Sequence, residues 1–273
     1  MREANAQSSS GPLRLLWKHR GMLLRTTWNE IKTRYAGSVL GLSWLLVYPL
    51  LFLAVYSLYI FAMVTVREGE SVFRVAVDRV LLIFCGLIPF FGFSEALSGG
   101  TPSVSTNASL IKNTLFPIEL IPVKAVLVGQ CTQVVGMGIL LVALAVFGKL
   151  TVWALLVPLL WLIQILMSVG MIWILSSLQV FFRDLQNIIG VSILMLMLVS
   201  PIAWKGSEIP ANLMPVMYVN PLYYLIISYQ DSLLYGQFPP GVLLPVLLVL
   251  TVVFFYLGYW FFGRMKRVFS DNV

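Results

Sequence analysis

The chain is poor in the residues on which most chemistry depends. Its 273 residues include one histidine, two cysteines and eleven acidic residues. His19 lies in a basic leader, so neither a His-based triad nor a His-ligated metal can be assembled in an apolar core. Cys85 and Cys131 each sit inside an apolar run, which excludes a disulfide framework and a two-cysteine metal site. The nearest fragment to a phosphate-binding loop, Phe147-Gly148-Lys149, runs into Leu150 and lacks the earlier glycine, so the chain cannot cradle ATP by that route. Charged residues make up only 11%, and Glu95 alone is expected deep in an apolar run. Ion-coupled carriers use intramembrane ionisable groups as relays, and many show inverted repeats; the sequence offers neither in strength. A membrane-embedded transferase would need clustered Asp, Glu or His near an interface, and there is no such cluster. Energy for any transport is expected from a partner.

What is abundant is apolar. Hydrophobic residues reach 59% and aromatic residues 13%, with a mean hydropathy of +0.92. Soluble domains carry about 25% charged residues, so the composition predicts an all-α integral membrane protein with one transmembrane domain over 37–273. A span needs about 20 apolar residues. On that measure six spans are expected, near 39–64, 80–98, 119–147, 152–180, 188–204 and 242–263. The cut inside 119–180 falls at Gly148-Lys149-Leu150-Thr151, the only polar pause in that run. No cleavable signal peptide is expected, because the first apolar run follows a long basic leader and is too long for a signal.

The formal charge of +7 reads as a topology signal rather than a nucleic-acid footprint. With both termini cytoplasmic, only Arg67, Arg74, Arg79, Lys149 and Lys205 fall on the outer side, as the positive-inside rule requires. Residues 1–12 are small and polar and are expected to be disordered. Residues 13–36 interleave Leu13, Trp17, Leu24 and Trp28 with Arg14, Lys18, Arg25 and Lys32. That mix predicts an amphipathic interface helix, bent at Gly21, with its cations towards anionic lipid; the plainer reading is a basic flank that orients the first span. Gly37 and Gly41 are spaced to permit close helix approach.

Along the first span, Trp44, Tyr48, Phe52, Tyr56 and Tyr59 fall within a band of roughly 120° at helical spacing. The band is either a packing face or a channel lining, on which sugar rings stack through their C–H faces. Glu95 is expected to pair with a nearby Arg or Lys. In the following loop, Asn107 can cap a short helix over Ala108 to Phe116 that Pro117 ends. Leu110, Ile111, Leu115 and Phe116 give it an apolar face, either a peg for a partner protein or a helix lying on the membrane surface. Between spans five and six, residues 200–231 are too broken to span and too apolar for an ordinary loop. Pro201, Pro210, Pro215 and Pro221 divide this stretch, which also carries Trp204, Asn220, Tyr223 and Tyr224. Non-helical backbone at membrane depth survives only inside protein or beside a cavity. Two short re-entrant helices at the outer mouth are therefore expected, as a gate.

Several ordered motifs together resemble the permease subunit of type-two ABC polysaccharide exporters, which move O-antigen, capsule or teichoic acid. They are Glu30-Ile31-Lys32-Thr33-Arg34-Tyr35 with Val39-Leu40-Gly41-Leu42-Ser43-Trp44 and Tyr48-Pro49; Ile111-Lys112-Asn113 with Phe116-Pro117; Phe181-Phe182-Arg183-Asp184; Ser200-Pro201-Ile202-Ala203-Trp204; and Asn220-Pro221-Leu222-Tyr223 with Asp231. Gln230 and Ile118 depart from that pattern, where arginine is more usual. The resemblance implies a homodimer bound to two copies of a separate ATPase, which holds the ATP and Mg. It implies that 107–117 is the coupling helix and that a lipid-linked glycan passes between the two copies of spans one and five. It places the protein in the bacterial inner membrane. A type-two permease for a drug or another lipid has the same architecture and is the alternative cargo class.

Overall fold

A computed structural model describes residues 11–63, 71–107 and 117–272, and every regular element among them is helical. Pro12, expected within a disordered stretch, is buried and opens α1 (Pro12–Lys18), where its missing N–H costs nothing. The single leader helix expected over 13–36 is two helices. The break falls at His19, not at Gly21, and α2 (Arg20–Tyr35) begins after it. Gly37 (φ +80°) and Gly41 (φ +51°) adopt backbone that side chains disfavour, with open space around both. They turn the chain into a tight helical turn (Gly41–Ser43) and α3 (Trp44–Met63), and do not serve close helix approach.

The second long helix, α4 (Val72–Gly100), starts well before the expected Val80. Asp78 and Arg79, which read as loop, are helical because each finds a partner at the helix end: Lys149 at 2.7 Å and Glu208 at 3.2 Å. Next come α5 (Ser103–Thr106) and α6 (Leu120–Val146). The chain then turns at Gly148 (φ +66°) and passes through a tight turn into α7 (Val157–Phe181). The remaining helices are α8 (Leu185–Val199), α9 (Met214–Val219), α10 (Pro221–Gln230) and α11 (Leu243–Asn272). A single π-helical turn, Asp231–Tyr235, extends α10.

Among the described residues, five segments are long and apolar enough to cross a membrane: Gly41–Ala62, Val72–Gly100, Leu120–Val146, Val152–Phe181 and Leu243–Lys266. The sixth expected span, over 188–204, is not one helix. The 15 residues of α8 rise about 22 Å, short of a hydrocarbon core of about 30 Å. Pro201 ends it by forcing Ser200 into extended backbone (φ −80°, ψ 146°).

Ion pairs gather in two layers. One holds Arg34–Glu95 (3.6 Å), Lys124–Glu30 (2.5 Å) and Lys266–Glu119. The other holds Lys149–Asp78 (2.7 Å), Arg79–Glu208 (3.2 Å) and Lys205–Glu208 (3.6 Å). The long helices run alternately between them, and the leader helix α2 lies at the first. We call these the leader end and the far end.

Between the layers, backbones approach closely where side chains are absent. A Cβ on Gly258 of α11 would meet the Gly170 carbonyl of α7 at 2.1 Å, and one on Gly129 of α6 would meet Ala96 N of α4 at 2.7 Å. A buried amide network ties four helices together. Gln133 and Gln164 exchange hydrogen bonds at 2.9 and 2.7 Å, Gln164 donates to the Pro89 carbonyl, and Gln133 donates to Tyr229 Oη at 3.4 Å. Beside it, Gln130 donates to the Gly92 carbonyl and accepts from Trp161 Nε1.

Candidate functional site

The aromatic band of α3 folds onto one residue of α4. Phe91 meets Phe52 edge-on at 4.9 Å and Tyr48 at 6.0 Å; Tyr48 and Phe52 lie 5.2 Å apart, and Phe52 stacks on Tyr56 at 5.9 Å. Phe52 and Tyr56 are half-buried, so this part of the band is a packing seam. Trp44, Tyr48 and Tyr59 remain exposed. Phe52 thus anchors α3, and three rings are left open along its length.

At the leader end the open part of the band closes into a small cavity of about 190 Å³, lined by Tyr35, Trp44, Tyr48, Glu95 and Thr132. Four elements converge there: α2, α3 with its preceding turn, α4 and α6. Glu95 pairs with Arg34 at 3.6 Å, the kind of partner its position calls for. Burial pushes the Tyr35 phenol above its usual pKa, opposed by the Arg34 cation beside it.

The expected coupling residues Leu110, Ile111, Lys112, Asn113, Leu115 and Phe116 lie outside the described residues, and their two flanking positions are described. Asn107 donates its amide to the Ser103 carbonyl at 2.8 Å. That bond closes the end of α5, and the helix that Asn107 is expected to cap lies outside the described residues. Pro117 accepts from Leu120 N at 3.0 Å and leads into α6. Asn107 also borders a polar groove against α2, with Asn29, Glu30 and Thr33.

Residues 200–202 and 222–231 lie buried in the bundle, whereas most of the stretch between them is exposed. A Cβ on Gly86, midway along α4, would meet Ile202 Cα at 3.1 Å. The broken backbone at this depth needs partners. Gln230 Nε2 donates to the Pro201 and Ile202 carbonyls, both at 3.2 Å. Asn220 Nδ2 donates to Ser200 Oγ at 2.9 Å, and its Oδ1 caps α10 by accepting from Leu222 N at 3.0 Å. A neutral amide at 230 supplies these two bonds without burying a charge.

Pro215 and Pro221 sit in the first turns of α9 and α10, and Pro210 accepts from Leu213 N in a turn. The two short helices also differ. Every residue of α10 from Leu222 to Gln230 is buried, whereas α9 exposes Val216, Tyr218 and Val219. Tyr223 and Tyr224 are buried beside a large far-end cleft, and Trp204 is exposed. Sequence reasoning missed Phe91, the receptor of the aromatic band. It also missed the amide network, although glutamines at 130 and 133 on one apolar helix are a readable sign.

The ABC-2 type transporter profile matches residues 23–234. The chain belongs to that family. The permease is 28% identical over 266 residues to the O-antigen export system permease protein RfbA of Myxococcus xanthus, covering 96% of this chain and 98% of that relative. It is 28% identical over 258 residues to the protein of the same name from Klebsiella pneumoniae, covering 92% and 94%. It is 25% identical over 234 residues to the polysialic acid transport protein KpsM of Escherichia coli, covering 84% and 87%. The match agrees with the resemblance drawn from the motifs, that of a type-two ABC polysaccharide exporter permease.

Proposed function

We propose that the permease exports a lipid-linked, O-antigen-like polysaccharide across the bacterial inner membrane, driven by ATP hydrolysis in two separate ATPase subunits. It works as a homodimer with both termini cytoplasmic, the leader end inside and the far end outside. The observation that carries this reading is a pair of bare helices. Within the membrane-crossing window of α3 only 6% is buried. On α8 only Ile189 is buried, while Ile188, Val191, Leu194, Met195 and Leu198 are exposed. A second copy facing these helices encloses a path with open aromatic rings on one wall. Rings at Trp44, Tyr48 and Tyr59 suit sugar C–H faces, and the names of the relatives point to the same cargo. The chain from α8 through α10 acts as a sixth, broken crossing, with α9 and α10 as re-entrant helices. The exposed α9 is the mobile part of that gate. The exposed Trp17, Leu24 and Trp28, with Lys32 over Trp28 and Arg20 over Trp17, equip the leader to lie on anionic lipid.

The test is export itself. Deletion of the gene removes surface glycan and leaves lipid-linked glycan inside the cell, and the wild-type chain restores export together with its ATPase. Unchanged surface glycan on deletion sinks the polysaccharide reading. Phe116→Asp tests coupling: the variant inserts in the membrane but no longer co-purifies with the ATPase or exports. Normal export in that variant removes the coupling role of 107–117.

A further inference from the structure

The far end carries a cleft of about 890 Å³ beside the gate, whose Tyr218, Tyr223 and Tyr224 help to line it. Two perpendicular ring pairs form one wall: Tyr218 against Tyr223 at 5.8 Å and 85°, and Tyr223 against Tyr224 at 5.1 Å and 81°. Tyr224 Oη is committed, donating to the Tyr218 carbonyl at 3.0 Å. Opposite elements bring Tyr235, with Lys205 Nζ 6.0 Å from its ring, and Gln237.

Asp231 is the buried polar group of this cleft. It lies in the π-helical turn, an irregularity that recurs at functional sites. The turn is closed by Gly236 (φ +60°), whose Cβ position is blocked by Thr151 at 2.6 Å, so no larger residue fits there. Gln237 then returns to Asp231 twice, its backbone N–H donating to the Asp231 carbonyl at 3.1 Å and its side-chain Nε2 to Oδ1 at 2.8 Å. Among the described residues Oδ2 has no partner, although the residue is only 6% exposed. A buried acceptor left unpaired costs about 1–3 kcal/mol, and the loop that pins Oδ1 does nothing to relieve it.

We propose that this cleft binds a saccharide unit on the outer side of the permease, with Tyr218 and Tyr235 covering the ring, Lys205 and the exposed Gln237 at its rim, and the buried Asp231 holding Gln237 in place through Oδ1. Flat aromatic faces with an amide and an ammonium at the rim match the two surfaces of a pyranose, apolar C–H on one side and hydroxyls at the edge. A lipid tail would gain nothing from that polar rim. The proposal rests on the export reading above, and it adds a holding point for glycan after it leaves the path between the copies.

The test uses the permease–ATPase complex in nanodiscs. The probes are oligosaccharides released by mild acid from the cell's own surface glycan, and methyl glycosides of its constituent sugars. Saturation-transfer NMR is expected to show transfer to probe C–H protons, reduced at least fivefold in Tyr218→Ala, Tyr235→Ala and Asp231→Asn. The two tyrosines are exposed, so their variants keep the fold even if the Asp231 variant does not. Absence of transfer to every probe, or full transfer in both tyrosine variants, overturns the site. Transfer to glycerol 1-phosphate with none to the sugars also overturns it, in favour of a lipid headgroup. The export reading is tested separately by restoration of surface glycan with the wild-type chain. Restored export without probe binding removes only the cleft site, whereas failed restoration removes the export reading as well.

Discussion

α3 and α4 are neighbours with equally apolar membrane windows, yet 6% of one window is buried and 89% of the other. Hydropathy determines that both cross a membrane and says nothing of what each touches. The difference lies in the small residues. Along α4, Gly86, Gly92 and Gly100 lie so close to Ile202, Gln133 and Ile172 that a Cβ would come within 3.1, 1.8 and 2.6 Å of them. No glycine occurs between Trp44 and Met63, and the seam that holds α3 is built from rings. Lipid tails are as apolar as leucine, so association within a bilayer depends on close packing and polar pairs. α4 has both, whereas α3 rests on ring contacts to Phe91 and Phe73 and leaves a free face. The buried helix is the scaffold, and the bare one is available to a second copy and a cargo.

The largest effect is expected where a side chain would strike backbone. Gly129→Val drives a side chain into Ala96 N of α4. It should destabilise the bundle by about 3 kcal/mol and abolish a monodisperse peak on size exclusion. A normal melting curve for this variant breaks the claim that α4 is held by close backbone contact. Next comes the amide network. Gln164→Leu leaves Gln133 and Tyr229 short of a partner and should cost about 1–2 kcal/mol in thermal unfolding. The double variant Gln133→Leu/Gln164→Leu should recover part of that loss. A double variant worse than the sum of the singles shows that the amides do more than satisfy one another.

The aromatic band then separates its two roles. Tyr48→Ala should lower surface glycan about tenfold, equivalent to about 1.4 kcal/mol, with the complex still assembled, because Tyr48 is exposed. Phe52→Ala should lower the melting temperature as well, because Phe52 is seated on Phe91. Equal stability and equal export loss in both variants would erase the distinction between the seam and the open rings.

Much of the architecture was legible. The all-helical membrane class follows from composition alone. The break after α6 was readable because Gly148 takes a left-handed backbone in front of Lys149, which reaches a partner in Asp78. Residues 200–231 were readable because their prolines are set apart at spacings no span tolerates. Other features were hidden because they depend on partners far along the chain. The early start of α4 requires Lys149 and Glu208 to neutralise Asp78 and Arg79. The short reach of α8 was masked by the apolar Ile202 and Trp204, which extend its hydropathy past the point where Pro201 ends its helix. The far-end cleft joins the π-helical turn Asp231–Tyr235 to Lys205 and Tyr218 from two earlier segments, and no local pattern links the three.

The smallest expected effect is the most informative about assembly. Leu82 of α4 is fully buried and Leu58 of α3 is 73% exposed. Leu82→Ala opens a cavity and should cost about 2 kcal/mol. Leu58→Ala removes a side chain that touches little within one chain, so its cost should be within about 0.5 kcal/mol. Thermal unfolding of both variants, measured on dilute chain without ATPase and again on the assembled complex, separates burial within a copy from burial between copies. If Leu58→Ala stays neutral in both, α3 faces lipid or an open path at that depth. If it becomes costly only in the complex, the second copy closes over that face of α3. That outcome would make the bare helix an interface whose rings line the path at other depths.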